Sequence, residues 1–259
     1  MAEVLIVGGG KMGEALLGGL LAAGRSVDSL AVVELVAARR DELTAQFGVR
    51  VLEVPEESAG VILATKPDAI PAAADAVAGA GVDRVLSLAA GVTLTTLAAS
   101  FGSTPTIRAM PNTPALVGRG AAAICGNAAA GAEDLEWAET ILGSVGIVVR
   151  SAERLLDAVT GLSGSGPAYV FLVAEAMIDA GVMMGLARQV AVDLTVQTLL
   201  GSATLLAQGR PPAELRADVT SPGGTTAAGL RELERSGLRA AFAAAIEAAT
   251  RRSEELGRA

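Results

Sequence analysis

Val4-Leu5-Ile6-Val7-Gly8-Gly9-Gly10-Lys11-Met12-Gly13 is the stretch on which the fold turns. Four apolar, largely β-branched residues run into three consecutive glycines and then into a helix-compatible segment, so the order is strand, tight turn, helix. The glycines at 8, 10 and 13 fit the spacing G-x-G-x-x-G. Gly8 permits the tight turn, Gly10 lets the backbone approach a pyrophosphate, and Gly13 allows the helix to pack closely on the strand. The helix start then offers unpaired N–H groups and the positive end of a dipole to an anion. The glycine pattern alone is weak, but inside a strand–helix unit it points to a dinucleotide. The alternative is a βα turn that binds nothing.

Working outward, the first ~150 residues alternate short apolar runs with helical patterns, the signature of βαβ units and a parallel sheet. Strands are expected at 4–7, 30–33, 61–64 and 85–88, with 106–109, 121–124 and 147–149 completing the sheet. Helices are expected at 12–23 and 36–47, each stopped by a glycine, Gly24 and Gly48. Beyond Arg150 strand-like runs give way to helical periodicity, near 153–162, 167–184, 187–208, 223–235 and 238–256, with Gly209-Arg210-Pro211-Pro212 as a break. The expected division is a domain over 1–150 and an all-helical one over 151–259. Small residues at many helical contact positions, and long apolar helices, predict a helix-mediated dimer.

Composition narrows the class. The chain of 259 residues is long enough for one large or two modest domains. Its formal charge is −8 with no cluster of Lys and Arg, which argues against nucleic acid and anionic membrane as partners. The single cysteine, Cys125, can form neither a disulfide framework nor a cysteine-based metal site, and it lies in an apolar stretch where a buried, inert thiol is expected. No basic signal-like segment opens the chain, so a cytoplasmic location is expected. The apolar run from Ala168 to Leu186 carries Glu175 and Asp179 and reads as a core helix rather than a membrane span. The chain has no histidine, and its only lysines are Lys11 and Lys66. A mechanism that needs a histidine acid, or a lysine in the second half, is excluded.

Further motifs cluster at expected strand ends, where open α/β sheets hold their ligands. Glu34 closes the second strand, where a carboxylate can accept a hydrogen bond from an adenine-ribose 2′-hydroxyl. That favours NAD and repels a 2′-phosphate. Arg39 and Arg40 follow; they either offset this charge or sit on a solvated helix face. Ala64-Thr65-Lys66-Pro67 places Lys66 toward the crevice, with Pro67 suited to a first helical turn. Ser87-Leu88-Ala89-Ala90-Gly91 leaves room for a flat ring. Arg108-Ala109-Met110-Pro111-Asn112-Thr113-Pro114 brackets Asn112 and Thr113 with prolines that prevent a helix, and it is either a nicotinamide-facing loop or a structural turn. Leu162 to Tyr169 opens a long helix, with serines suited to capping and Pro167 near its start. Thr220-Ser221-Pro222-Gly223-Gly224-Thr225-Thr226-Ala227 combines two glycines with hydroxyls at a helix start. Its N–H groups and the hydroxyls of Ser221, Thr225 and Thr226 suit a carboxylate, beyond what plain N-capping needs.

In this order the motifs resemble the pyrroline-5-carboxylate reductase family over essentially the whole chain. The specific segments are Ala64–Pro67, Met110–Pro114, Asp157–Tyr169, and Val219–Thr226 followed by Leu230-Arg231-Glu232-Leu233-Glu234. The resemblance implies an α/β fold: an N-terminal Rossmann-type doubly wound sheet followed by an all-helical domain for dimerisation and substrate. It implies hydride transfer from NADPH or NADH, without a metal, to 1-pyrroline-5-carboxylate, giving L-proline as the last step of proline biosynthesis, in a homodimer or higher homo-oligomer. Val7, Gly8, Gly9, Gly10, Lys11, Met12, Gly13, Glu34, Ala64, Lys66, Pro67, Leu88, Ala90 and Asn112 form the expected cofactor set. By family analogy Thr225 and Thr226 hold the substrate, with Thr226 near the ring nitrogen as the catalytic candidate. Ser221, Gly223 and Gly224 complete the carboxylate turn. Glu153 and Asp218 match positions near the substrate in relatives, although Asp218 replaces an amide found in some of them.

The missing histidine agrees with this chemistry. A ketone reduction develops charge on oxygen and usually wants a general acid, whereas a protonated imine already carries its proton. A β-hydroxyacid dehydrogenase shares the expected plan but typically uses a lysine in the helical half, and none follows Lys66. A nucleotide-sensing regulator is the non-enzymatic alternative; the Gly223–Thr226 turn argues against it.

Overall fold

The structure is a computed structural model that describes residues 2–258. Packing divides the chain into two compact units, one formed by the chain up to Ser165 together with the segment from Glu247 onward, the other by Gly166–Ile246. Residues 151–165 therefore pack with the sheet, although their helical pattern grouped them with the later helices.

The first unit is built on one eight-stranded sheet: β1 (Ala2–Val7), β2 (Leu30–Val33), β3 (Arg50–Leu52), β4 (Ser58–Leu63), β5 (Val85–Ser87), β6 (Thr106–Met110), β7 (Gly120–Gly126) and β8 (Gly146–Arg150), in the order β3-β2-β1-β4-β5-β6-β7-β8. Its helices are α1 (Lys11–Ala22), α2 (Ala37–Phe47), α3 (Ile70–Ala80), α4 (Leu94–Phe101), α5 (Ala132–Gly143) and the short α6 (Leu156–Val159). Strands β1 to β6 are parallel. The sheet is parallel-dominated, as expected, with one exception: β7 runs antiparallel to β6, and β8 is parallel to β7.

The burial of β1 explains its unbroken apolar sequence. Val4 and Ile6 pack on one face with Leu16, Leu17 and Leu20 of α1, while Leu5 and Val7 pack on the other with Ile70, Ala74 and Val77 of α3. Successive side chains of a strand point to opposite faces, so a strand covered on both sides has no polar position. Each such side chain stabilises the fold by about 1.5–3 kcal/mol relative to exposure. Strand order reverses between β2 and β4 about β1, and a crevice outside the strand ends at that point is where doubly wound sheets place ligands.

The second unit is helical: α7 (Gly166–Met183), α8 (Arg188–Leu206), α9 (Pro212–Asp218), α10 (Thr225–Arg235) and the beginning of α11 (Leu238–Arg258). A short helix, α9, begins within the proline pair that was expected to break the series, with Pro211 as its N-cap and Pro212 as its first residue. The core-helix expectation for 168–186 is also corrected, because α7 buries none of its residues within this chain. Phe171, Leu172 and Met183 on α7 and Leu194 and Leu200 on α8 are exposed. By length and composition alone the helical run Glu153–Met183 could cross a membrane.

Candidate active site

The glycine turn sits at the switch point. Gly8 has φ +107°, and an added Cβ would lie 2.9 Å from the carbonyl oxygen of Ala64, just beyond β4, so both conformation and space demand glycine. A Cβ on Gly13 would lie 2.0 Å from the Gly8 carbonyl oxygen, which shows how tightly α1 is drawn onto the turn. Gly10 differs: nothing lies within 4 Å of the Cβ it lacks, and no side chain caps the helix that begins after it. The first N–H groups of α1 therefore face an open cradle, which suits a phosphate.

Glu34 follows β2 and turns back toward the glycines. Its Oε2 accepts from the Gly9 N–H (3.0 Å) and its Oε1 from the Val36 N–H (2.9 Å). Beside it a cleft of about 370 Å³ is lined by Gly8, Glu34, Leu35, Glu53, Val54 and Thr65, among others. The Thr65 hydroxyl is buried without a hydrogen-bond partner. A mostly apolar cleft beside an uncapped helix start, with a carboxylate and an orphaned hydroxyl on its wall, fits the adenosine half of a dinucleotide. Among the described residues no group of three or more Cys, Asp or Glu could hold a metal ion.

Other expected site residues lie on neighbouring strand ends of the same unit. Ala64 is half-buried beside Gly8, and Lys66 and Pro67 are exposed at the start of a 3-10 turn, Pro67–Ala69, that precedes α3. Leu88 is half-buried and Ala90 exposed after β5. Asn112 is tied down at both ends of its amide: Nδ2 donates to the Ser163 carbonyl (3.0 Å) and Oδ1 accepts from the Ala121 N–H (2.8 Å). This gives the side chain a structural task in its loop. The proline bracket also does not keep the segment irregular, since Thr113–Val117 is a 3-10 turn. Ser163 lies in a π-helical turn, Thr160–Gly164, rather than acting as a helix cap, and its hydroxyl donates to the Val159 carbonyl.

Glu153 is held within the first unit. Its Oε1 accepts from the Leu94 N–H at the start of α4 (2.7 Å) and from Arg108 Nη1 (3.2 Å), and Arg108 is buried on β6. Cys125 on β7 is buried, as expected. Burial, and then the Glu153 charge, push its thiol up to about 11, while Arg108 pulls it the other way. A thiol with so little thiolate is inert. A disulfide reagent at about pH 8 should modify the native chain roughly a hundredfold more slowly than the unfolded chain; equal rates would contradict the burial.

The hydroxyl-rich turn belongs to the second unit. Gly223 has φ +71°, and Gly224 is the N-cap of α10 with no side-chain oxygen capping the helix. Plain capping by Ser221, Thr225 or Thr226 is therefore not what the turn does. All three are exposed, and the main-chain N–H groups at the start of α10 remain available to an anion. The Gly224 N–H itself donates to the Ser221 carbonyl (3.0 Å). Asp218, at the end of α9, is exposed and pairs with Arg210 (2.8 Å).

Sequence reasoning missed three features: Thr65 in the cleft wall, Glu53 beyond β3, and the buried Arg108. Thr65 was findable, since it lies two residues beyond the end of β4, at the switch point. Glu53 was not, because a three-residue strand with an exposed Arg50 leaves no periodic signal.

The profile described as pyrroline-5-carboxylate reductase dimerisation matches residues 153–256, and that described as NADP oxidoreductase coenzyme F420-dependent matches residues 3–91. The chain is 44% identical to pyrroline-5-carboxylate reductase of Mycobacterium leprae, over 99% of this chain and 97% of that protein. It is 45% identical to the Synechocystis protein of the same name, over 98% and 97%. Among solved structures, a pyrroline-5-carboxylate reductase from Coxiella burnetii superposes with a TM-score of 0.94 at 34% identity, covering 98% of each chain. The Plasmodium falciparum pyrroline carboxylate reductase with NADP bound does so at 0.85 and 29%, covering 99% of this chain and 98% of that one. An uncapped glycine turn at the switch point, a second uncapped turn in a helical unit, and identity at this level along the entire length have one common explanation: the chain belongs to the pyrroline-5-carboxylate reductase family.

Proposed function

We propose that this chain reduces 1-pyrroline-5-carboxylate to L-proline with a reduced nicotinamide dinucleotide, the last step of proline biosynthesis. The observation that carries the reading is the Gly223–Thr226 turn, whose helix start no side chain caps. It is suited to an anion of carboxylate size. By function, residues 1–150 serve as the dinucleotide domain and 151–259 as the substrate and dimerisation domain of a cytoplasmic enzyme, although 151–165 and the segment from Glu247 pack with the first unit.

When bound, the dihydronicotinamide supplies a hydride. The chain's own residues do the positioning. Val7 to Gly13 cradle the pyrophosphate with main-chain N–H groups, and Glu34 accepts from the adenine ribose. Ala64, Lys66 and Pro67 border the cofactor, while Leu88, Ala90 and the loop braced by Asn112 leave a smooth bed for a flat ring. Ser221, Gly223, Gly224 and the Thr225 main chain hold the substrate carboxylate, and Thr226 orients the ring nitrogen. The imine enters protonated, so its nitrogen keeps that proton when carbon gains the hydride, and no histidine acid is required. Rate is then gained through orientation. Glu153, braced by Arg108, and Asp218, paired with Arg210, keep the place near the substrate that the resemblance implies, each with its charge already partnered.

The exposed apolar faces of α7 and α8 are covered by a second copy of the chain rather than by lipid. Sedimentation should give at least twice the 25.8 kDa of one chain. A monomer at micromolar concentration would contradict this. The reaction itself is tested by following reduced-cofactor absorbance with pyrroline-5-carboxylate, where a nucleotide-sensing regulator would leave the cofactor unoxidised.

A further inference from the structure

The two guanidiniums that follow Glu34, and that could welcome a 2′-phosphate, are already committed. Arg39 spends all three of its nitrogens: Nε on the Gly9 carbonyl (2.8 Å), one Nη on Glu42 (2.9 Å) and the other on Glu14 (2.5 Å). Arg40 is held by the carbonyls of Glu34 (3.1 Å) and Leu35 (2.9 Å) through one Nη, and by Glu53 (2.5 Å) through the other. Neither lies on a solvated helix face, since their side chains are only 25% and 19% exposed. Glu34 and Glu53 both line the cleft beside the glycine turn. That wall thus presents two carboxylates and no uncommitted guanidinium.

We infer that this chain selects NADH over NADPH, and that Glu53 acts as a second specificity determinant by neutralising Arg40. The inference rests on the dinucleotide-dependent reading above and names which dinucleotide the site takes. A ribose 2′-hydroxyl can donate to the Glu34 carboxylate. A 2′-phosphate, with a charge of about −1.5 to −2, can only accept, and the cleft wall it would meet is lined by Glu34 and by Glu53. Glu53 is 70% exposed, so its replacement does not disturb the core. Glu34 also holds the glycine turn through the Gly9 N–H, so its variant reports on turn and ribose together.

Calorimetric titration of the full-length protein with NADH and with NADPH, without imine, separates the possible outcomes. The native chain should bind NADH at least about tenfold more tightly, the scale of one charge-assisted hydrogen bond replaced by repulsion. Glu53→Gln should move the NADH/NADPH affinity ratio toward NADPH by about threefold, as loss of a partly exposed ion pair allows. Adding Arg40→Ala to that variant should cancel the gain, because the released guanidinium is its source. Glu34→Gln should narrow the ratio further, mainly by weakening NADH. Equal or tighter NADPH binding by the native chain overturns the inference and leaves the proposed reduction intact. So does a Glu53→Gln ratio that is unchanged, or that Arg40→Ala does not affect. Binding of neither dinucleotide would remove the dinucleotide reading itself.

Discussion

Gly13→Ala should lower the melting temperature by roughly 4–8 °C, the scale of about 2 kcal/mol of overpacking in a chain of this size. It should also weaken dinucleotide binding more than tenfold. Its new Cβ would sit 2.0 Å from the Gly8 carbonyl oxygen, a backbone atom that no rotamer change can move. Helix α1 must lift from the turn, and the N–H groups facing the pyrophosphate move with it. Gly10→Ala is the control. Its φ is −70°, and its Cβ would meet nothing within 4 Å, so the fold should keep its melting temperature within about 2 °C. Dinucleotide affinity should still fall, because the methyl group enters the space through which a phosphate approaches. Differential scanning calorimetry and cofactor titration on both variants check the pair. A Gly10→Ala chain that binds as tightly as the parent would show that the open side of the turn is solvent and not a cradle.

The second large effect is at Thr226. Thr226→Ala should reduce kcat/KM for pyrroline-5-carboxylate by about tenfold or more, equivalent to roughly 1.4 kcal/mol of transition-state stabilisation. The melting temperature should hardly change, since Thr226 is exposed and Gly224, not a side chain, begins α10. Dinucleotide affinity should also be unaffected, because Thr226 is not among the residues lining the cleft beside the glycine turn. Steady-state kinetics with the imine varied would read the effect. An unchanged kcat/KM would remove Thr226 from the reaction and leave the carboxylate turn as its only local support.

Particular residues show why parts of the fold and site were legible in the sequence and others were not. The run Val4–Val7 with its three glycines revealed β1, the turn and α1, because a strand buried on both faces must be apolar throughout and the turn must lack side chains. The reversal at β7 carried a signal that periodicity does not register. Only a short segment joins Met110 to Gly120, too little for a crossover, and the 3-10 turn Thr113–Val117 bends the chain back beside its neighbour. The exposure of α7 was only partly legible: the long apolar helices predicted a dimer, yet 168–186 read as a core helix, because an apolar helix reads the same whichever chain covers it. At the site, the placement of the glycines and of Glu34 could be read from their position at strand ends. The pairing of Arg40 with Glu53 could not, because it depends on β3 lying beside β2.

The chain's reactivity is read by incubating the purified protein with reduced dinucleotide and 1-pyrroline-5-carboxylate and quantifying cofactor oxidation and product together. Loss of reduced-cofactor absorbance matched one for one by L-proline is the predicted result. Binding of the dinucleotide without its oxidation, and without proline, would contradict it.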